Sequence, residues 1–193
     1  MADHEPTVAT NAFSCQIRQQ GLRSPPLDIP ESNERMIDVH RPRAVPADLV
    51  AEHRIVDCII RLFVATDSRD WAGVRACLAD VVRFDMTSLA GGEPADLPAE
   101  QIVAAWTTGL APIEHVHHQA GNFRVTVRGG EADAFCYGIA LHYRRTASGR
   151  NTRTFVGSYD FTLVNGRDHA WRISAFRFNL KFIEGNQQLE QDG

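Results

Sequence analysis

The stretch ADAFCYGIALHYRR, residues 132–145, alternates between two kinds of side chain. In an extended chain Ala134, Cys136, Gly138, Ala140 and His142 share one face, and Phe135, Tyr137, Ile139, Leu141 and Tyr143 share the other. A period of two sustained over this length specifies a long β-strand. One face is small and ends in a histidine. That pattern either leaves room for a ligand beside His142 or lets a helix pack closely on the sheet.

Three similar runs surround it: HQAGNFRVTV (118–127), NTRTFVGSYDFTLV (151–164) and AWRISAFRFNLKFI (170–183). The turn signals RGGE, TASGR and NGRDH separate the four, so they predict a meander of antiparallel strands. Upstream the period changes. In PADLVAEHRIVDCIIRLFVATDSRDW (46–71), Leu49, Val56, Ile59, Ile60 and Phe63 recur at helical steps. A second short helix follows, with Ser68 or Asp70 as N-cap and Trp71, Val74 and Leu78 as its inner stripe. VVRFDMTSL (81–89) reads as a strand. After the turn AGGEP a third helix has Pro98 near its first turn and Ile102, Val103, Trp106 and Leu110 on one side. Helices first and strands afterwards is the α+β pattern. The expected architecture is a cone-shaped α+β barrel, in which three N-terminal helices and a curved antiparallel sheet enclose a pocket.

This domain spans residues 46–185. Residues 1–45, with SPPLDIP and HRPRAVP, read as a flexible leader in which Met36 is an alternative start. Residues 186–193 read as a polar C-terminal tail that frays. With 44% apolar and 23% charged residues among 193, the composition is that of a globular protein. A net charge of −4 offers no electrostatic case for nucleic acid or an anionic membrane, and a small-molecule partner is expected instead. No apolar run approaches a membrane span, no signal peptide opens the chain, and Cys15, Cys58, Cys77 and Cys136 form no CxxC pair. These features fit a cytoplasmic protein with free thiols.

HVHHQAGN (115–122) carries three histidines in four positions. Simple alternation places His117 in phase with Phe123, Val125 and Val127. A β-bulge at Gly121-Asn122 would instead bring His118 to that face. The residues alone leave both registers open. A His-Val-His pair could hold a metal, but no third ligand follows at a recognisable spacing, and no metal is expected. An acid/base role needs only one buried imidazole with an orienting acceptor. Asp67 lies on the extension of the first helix's inner stripe, at the helix end where the macrodipole disfavours a negative charge, so it calls for a partner. It could also cap the following turn. Ser158 and Asp160 share a strand face opposite Phe155, Tyr159 and Phe161.

Taken together, TDSRDWAGVRACLADVVRFDMTSL, HHQAGN, IALHYRR and GSYDFTLV, the last followed by WRI, resemble the SnoaL-like, nuclear transport factor 2-like superfamily and its scytalone dehydratase branch, over roughly residues 50 to 184. The resemblance implies that His118, in the bulged register, is the general acid/base and that Asp67 hydrogen-bonds a second histidine, His142. It also implies that Ser158 belongs to the site and that Asp160 replaces an asparagine that contacts substrate. Thr66 and Met86 stand where the family enzyme has two tyrosines that hold a water against the substrate carbonyl, so scytalone itself is a poor candidate substrate. Asp85, Trp106 and Asn179 complete the expected substrate-contacting set.

The function expected is proton transfer, without a cofactor, on a cyclic or polyketide-like carbonyl compound, with dehydration the leading chemistry. An isomerase or polyketide cyclase is the near alternative. The distant one is a non-catalytic binding or assembly module, with an interaction surface around Tyr137 and Tyr159. A homo-oligomer, dimer or trimer, is expected through the open sheet face. No GxGxxG or Walker A sequence is present.

Overall fold

A computed structural model describes residues 47–191. The leader, the alternative start at Met36 and Cys15 lie outside the described residues. The elements are α1 (Ala47–Asp67), α2 (Trp71–Cys77), β1 (Leu78–Asp85), α3 (Thr87–Ala90), β2 (Ala95–Pro98), α4 (Ala99–Leu110), β3 (His115–Arg128), β4 (Glu131–Tyr143), β5 (Thr152–Asn165) and β6 (Trp171–Gly185). They make an α+β fold with a six-stranded curved, unclosed sheet of order β2-β1-β6-β5-β4-β3. The meander β3 to β6 is antiparallel as expected, whereas β1 lies parallel to β6. Two features were not read from the sequence. The run 81–89 ends its strand at Asp85 and turns into the single-turn helix α3, and residues 95–98 add a short edge strand antiparallel to β1.

The inner face of α1 is Ile55, Cys58, Ile59, Leu62, Phe63 and Thr66, all buried, and it lies mainly across β3. This corrects the stripe expected from Leu49 and Ile60, which are 55% and 43% exposed. Apolar residues recur on two sides of this helix, so periodicity alone could not say which side meets the sheet. Asp70 caps α2 by accepting a hydrogen bond from the Gly73 N–H at 2.9 Å, and Ser68 takes no part in the cap.

β3 carries one extra residue between Gly121 and Arg124 relative to β4, and Asn122 adopts φ 58°. The inward side chains are therefore Val116, His118 and Ala120 before this bulge, and Phe123, Val125 and Val127 after it. Asparagine tolerates the left-handed backbone better than most residues.

The C-terminal turn is not frayed over its described length. Leu189 is fully buried with Ile113 and Val116, and Leu110 packs on them. The Asn186 N–H donates to the Thr152 carbonyl at 2.8 Å, and Arg144 donates to the Leu189 carbonyl at 3.2 Å. One leucine among polar neighbours thus anchors the chain end. Leu189→Ala should destabilise the protein by about 2–5 kcal/mol, the usual cost of emptying a buried leucine site, and urea denaturation would measure it. A change within about 0.5 kcal/mol would show that the turn is not docked in solution.

Candidate active site

Between the inner sheet face, α1, α3 and α4 lies a cavity of about 190 Å³. Its wall is mostly aromatic and aliphatic, with Phe63, Trp106, Phe155, Phe176 and Phe178 among its residues. Against that apolar surface stand four polar side chains, His118, His142, Tyr159 and Thr66.

His118 is held by the end of α1. Asp67 Oδ2 accepts the His118 backbone N–H at 2.8 Å, and Oδ1 lies 2.6 Å from His118 Nδ1. An ionised carboxylate can only accept, so Nδ1 carries a proton, and in its neutral form the ring presents a lone pair on Nε2. The two side chains are 18% and 14% exposed, and the imidazole stacks on Phe63 with centroids 5.0 Å apart. Two donors thus meet the carboxylate that the helix C-terminus would otherwise disfavour. His117 lies on the other face, 73% exposed, with Nδ1 3.9 Å from Asp67 Oδ2.

His142 has a different partner. Asp67 does not bond it, contrary to the role the resemblance implied, because both of its oxygens are engaged by His118. Instead His142 Nδ1 lies 3.2 Å from Arg153 Nη2. Burial first, and then the positive Arg153 guanidinium and nearby His118, push its pKa down from 6.5 to about 4, against the weaker opposite pull of Glu190 and Asp67. At neutral pH this imidazole is uncharged.

The alternative of a binding or assembly module puts Tyr159 with Tyr137 on an interaction surface, but Tyr159 is 5% exposed and faces the cavity, while Tyr137 faces outward. Its hydroxyl has no hydrogen-bond partner among the described residues. Burial raises its pKa above the usual phenol value, so it remains a protonated donor. Gly138 makes room for it, since a methyl group there would overlap the Tyr159 ring. An aromatic residue diagonal to a glycine on the neighbouring strand, with Tyr159 opposite Cys136 and Gly138 opposite Gly157, was the signal that could have revealed this residue.

The other expected positions divide. Thr66, Met86 and Trp106 line the cavity. The Thr66 hydroxyl donates to the Leu62 carbonyl at 2.7 Å, so its proton is already committed. Asp85, Ser158, Asp160 and Asn179 do not line it. Asp85 accepts from the Thr87 N–H and hydroxyl and pairs with Arg177, which anchors α3. Asp160 is exposed on the outer sheet face and accepts from Asn179 Nδ2 at 2.7 Å. Ser158 pairs in register with outward Tyr137, next to inward Tyr159. Alternation had grouped these residues correctly, but the inward face is the aromatic one. Among the described residues no three His, Cys, Asp or Glu side chains converge as a metal site.

A histidine whose folded pKa is lowered destabilises the fold wherever the unfolded chain binds its proton and the folded one does not. For His142 that window runs from about 6.5 down to 4, so stability should fall as pH falls through it. The loss should be at most about 3 kcal/mol, and His142→Asn should flatten that part of the profile in urea unfolding across pH. An unchanged slope in the variant would refute this assignment.

The sequence model of the SnoaL-like domain family matches residues 47–177. No curated protein matches the sequence. Among solved structures, Kfla4162 from Kribbella flavida is 22% identical with a TM-score of 0.71, over 75% of this chain and 99% of that one. A Novosphingobium aromaticivorans protein with a provisional scytalone dehydratase name is 15% identical with a TM-score of 0.62, over 72% of this chain and 90% of that one. A type 2 hexachlorocyclohexane dehydrochlorinase, LinA, is 15% identical with a TM-score of 0.60, over the same shares. Identities this low establish a common fold. No helix among the described residues is long and apolar enough to cross a membrane.

Proposed function

The chain belongs to the SnoaL-like domain family, and from that premise we propose that it is a cofactor-free enzyme acting on a small cyclic or polyketide-like carbonyl compound, most simply a dehydratase. The observation that carries this reading is the 2.6 Å pair of Asp67 and His118 at the wall of an apolar cavity. The pair has the geometry of a base with a fixed tautomer, and a base with an orienting carboxylate is of little use to a passive binding pocket.

In the proposed reaction His118 Nε2 removes a proton from the carbon alpha to the substrate carbonyl. The electron pair forms a carbon–carbon double bond as the β-hydroxyl leaves, and His118 returns the proton to that hydroxyl to release water. Negative charge develops on the carbonyl oxygen during proton removal. Tyr159 and His142 supply neutral donors for it, so a phenol from β5 does part of what the family's tyrosine pair does from other positions. The aromatic wall and modest volume suit one or two rings rather than a long chain. Two structural neighbours bear names for eliminations, a dehydratase and a dehydrochlorinase, which supports elimination over isomerisation or cyclisation.

Proton abstraction is testable without knowing the product. Incubating a panel of cyclic β-hydroxyketones with the enzyme in D₂O should exchange the alpha proton, followed by NMR, and yield the conjugated enone. His118→Ala should lower the rate about 10²–10⁴-fold with binding retained, and Tyr159→Phe about 10-fold. Tight binding of panel compounds with neither exchange nor elimination would sink the enzymatic reading and favour a binding module.

We also propose a homo-oligomer, formed through the outer sheet face where Tyr137, Ile139, Leu141 and Phe182 are exposed. Ile139→Lys should yield monomers by sedimentation velocity. An unchanged sedimenting mass, or a monomeric unaltered protein, would rule out this surface.

A further inference from the structure

Resting on the reading that His142 faces a ligand in the cavity, the geometry points to a positioning device behind it. We propose that Arg153, clamped by Glu190 of the C-terminal turn, fixes His142 as an uncharged Nε2–H donor aimed at the ligand's oxygen.

Arg153 begins the inner part of β5 directly opposite His142 on β4. Its side chain is only 12% exposed. Nη1 donates to Glu190 Oε2 at 2.8 Å, and Nη2 is paired with Glu190 Oε1. The guanidinium carbon sits 4.9 Å from the centre of the Phe155 ring, and Nε is buried without a partner. A fork held at both nitrogens and resting on an aromatic face has little freedom, so Nη2 meets His142 Nδ1 in one geometry.

The consequence for His142 follows from what each group can do. Arginine has donors only, so Nδ1 must accept and its lone pair is occupied. The proton of the neutral ring is then on Nε2, for which no partner exists among the described residues. Protonating the ring would place a second cation against Arg153 and bring a proton onto the nitrogen that Arg153 already fills. His118 and His142 consequently present opposite polarity to the cavity, an acceptor on one and a donor on the other.

Glu190 has a separate role. Burial works against its ionisation, but the bonds to Arg153 prevail and hold its carboxyl below the usual range. The charged and titratable groups acting on His142 are Arg153 from β5, His118 from β3, Glu190 from the C-terminal turn and Asp67 from α1. Of these, Arg153 and Glu190 act with opposite sign, which separates an electrostatic role from a packing role.

The test is ¹⁵N NMR of the imidazole rings in ligand-free, full-length protein, with His142 signals assigned by a His142→Asn variant. The unaltered protein should show His142 as the Nε2–H tautomer, titrating near pH 4. Arg153→Met should mix the tautomers and raise the midpoint by about one unit or more. The double variant Arg153→Met with Glu190→Gln should do the same while avoiding an unpaired buried carboxylate. Glu190→Gln alone, which leaves the guanidinium uncompensated, should not raise the midpoint. Midpoints that rise in both single variants, or a tautomer unchanged without Arg153, would overturn the proposal. Because no substrate is used, its failure is separate from failure of the exchange assay. On any substrate that assay identifies, the double variant should lower turnover about 10-fold with a smaller change in KM.

Discussion

β3 must satisfy two demands that a regular strand cannot meet together. Phe123, Val125 and Val127 have to face the core, and His118, an odd number of residues earlier, has to face the same way. In an unbroken strand one set would point to solvent. The extra residue at Asn122 resolves this by changing the phase of the strand in its middle, at the cost of one left-handed backbone position. The catalytic proposal and the core of the fold therefore depend on the same local irregularity. Asp67 reinforces it from across the chain, since one oxygen takes the His118 ring and the other takes the His118 backbone N–H. The ring orientation and the strand position are fixed by a single carboxylate.

The two cavity histidines show how identical side chains acquire different roles from their neighbours. One rests on an anion at the end of a helix. The other rests on a cation held between a carboxylate and an aromatic ring. The first arrangement leaves an acceptor exposed to the cavity and the second leaves a donor, with no difference in residue type. Around them the apolar wall strengthens both interactions by excluding water. Tyr159 adds a third polar group whose hydroxyl has no competing partner among the described residues.

The four strands of the meander, their order and the helical start were legible because each run is long and strictly periodic. Faces were harder. In β5 the alternation separates Ser158 and Asp160 from Phe155, Tyr159 and Phe161, but nothing in that strand says which set meets the helices. The family resemblance assigned Ser158 and Asp160 to the site, whereas the cavity is formed by the aromatic set, and Asp160 binds Asn179 on the outer face. In α1 a second apolar strip around Leu49 and Ile60 obscured the true inner face by one residue. The C-terminal turn was illegible for another reason. Its docking depends on Leu189, on the Asn186 bond to Thr152, on carbonyls that bind Arg144 and on the Glu190–Arg153 pair, features with no period and no local signature. Arg153 escaped notice likewise, because its partners come from β4 and from a turn 37 positions away.

Gly138 and Tyr159 occupy one volume from two strands: the ring of the second fills the space that any side chain at the first would need. Neither position can be altered as though it were independent. A larger residue at 138 forces the phenol out of place, and a smaller residue at 159 leaves a hollow beneath the ligand that only a side chain at 138 can fill. In adapting this pocket to a different molecule, the productive step is a paired exchange that moves bulk from one strand to its neighbour, changing the contour of the floor while keeping its total filling constant.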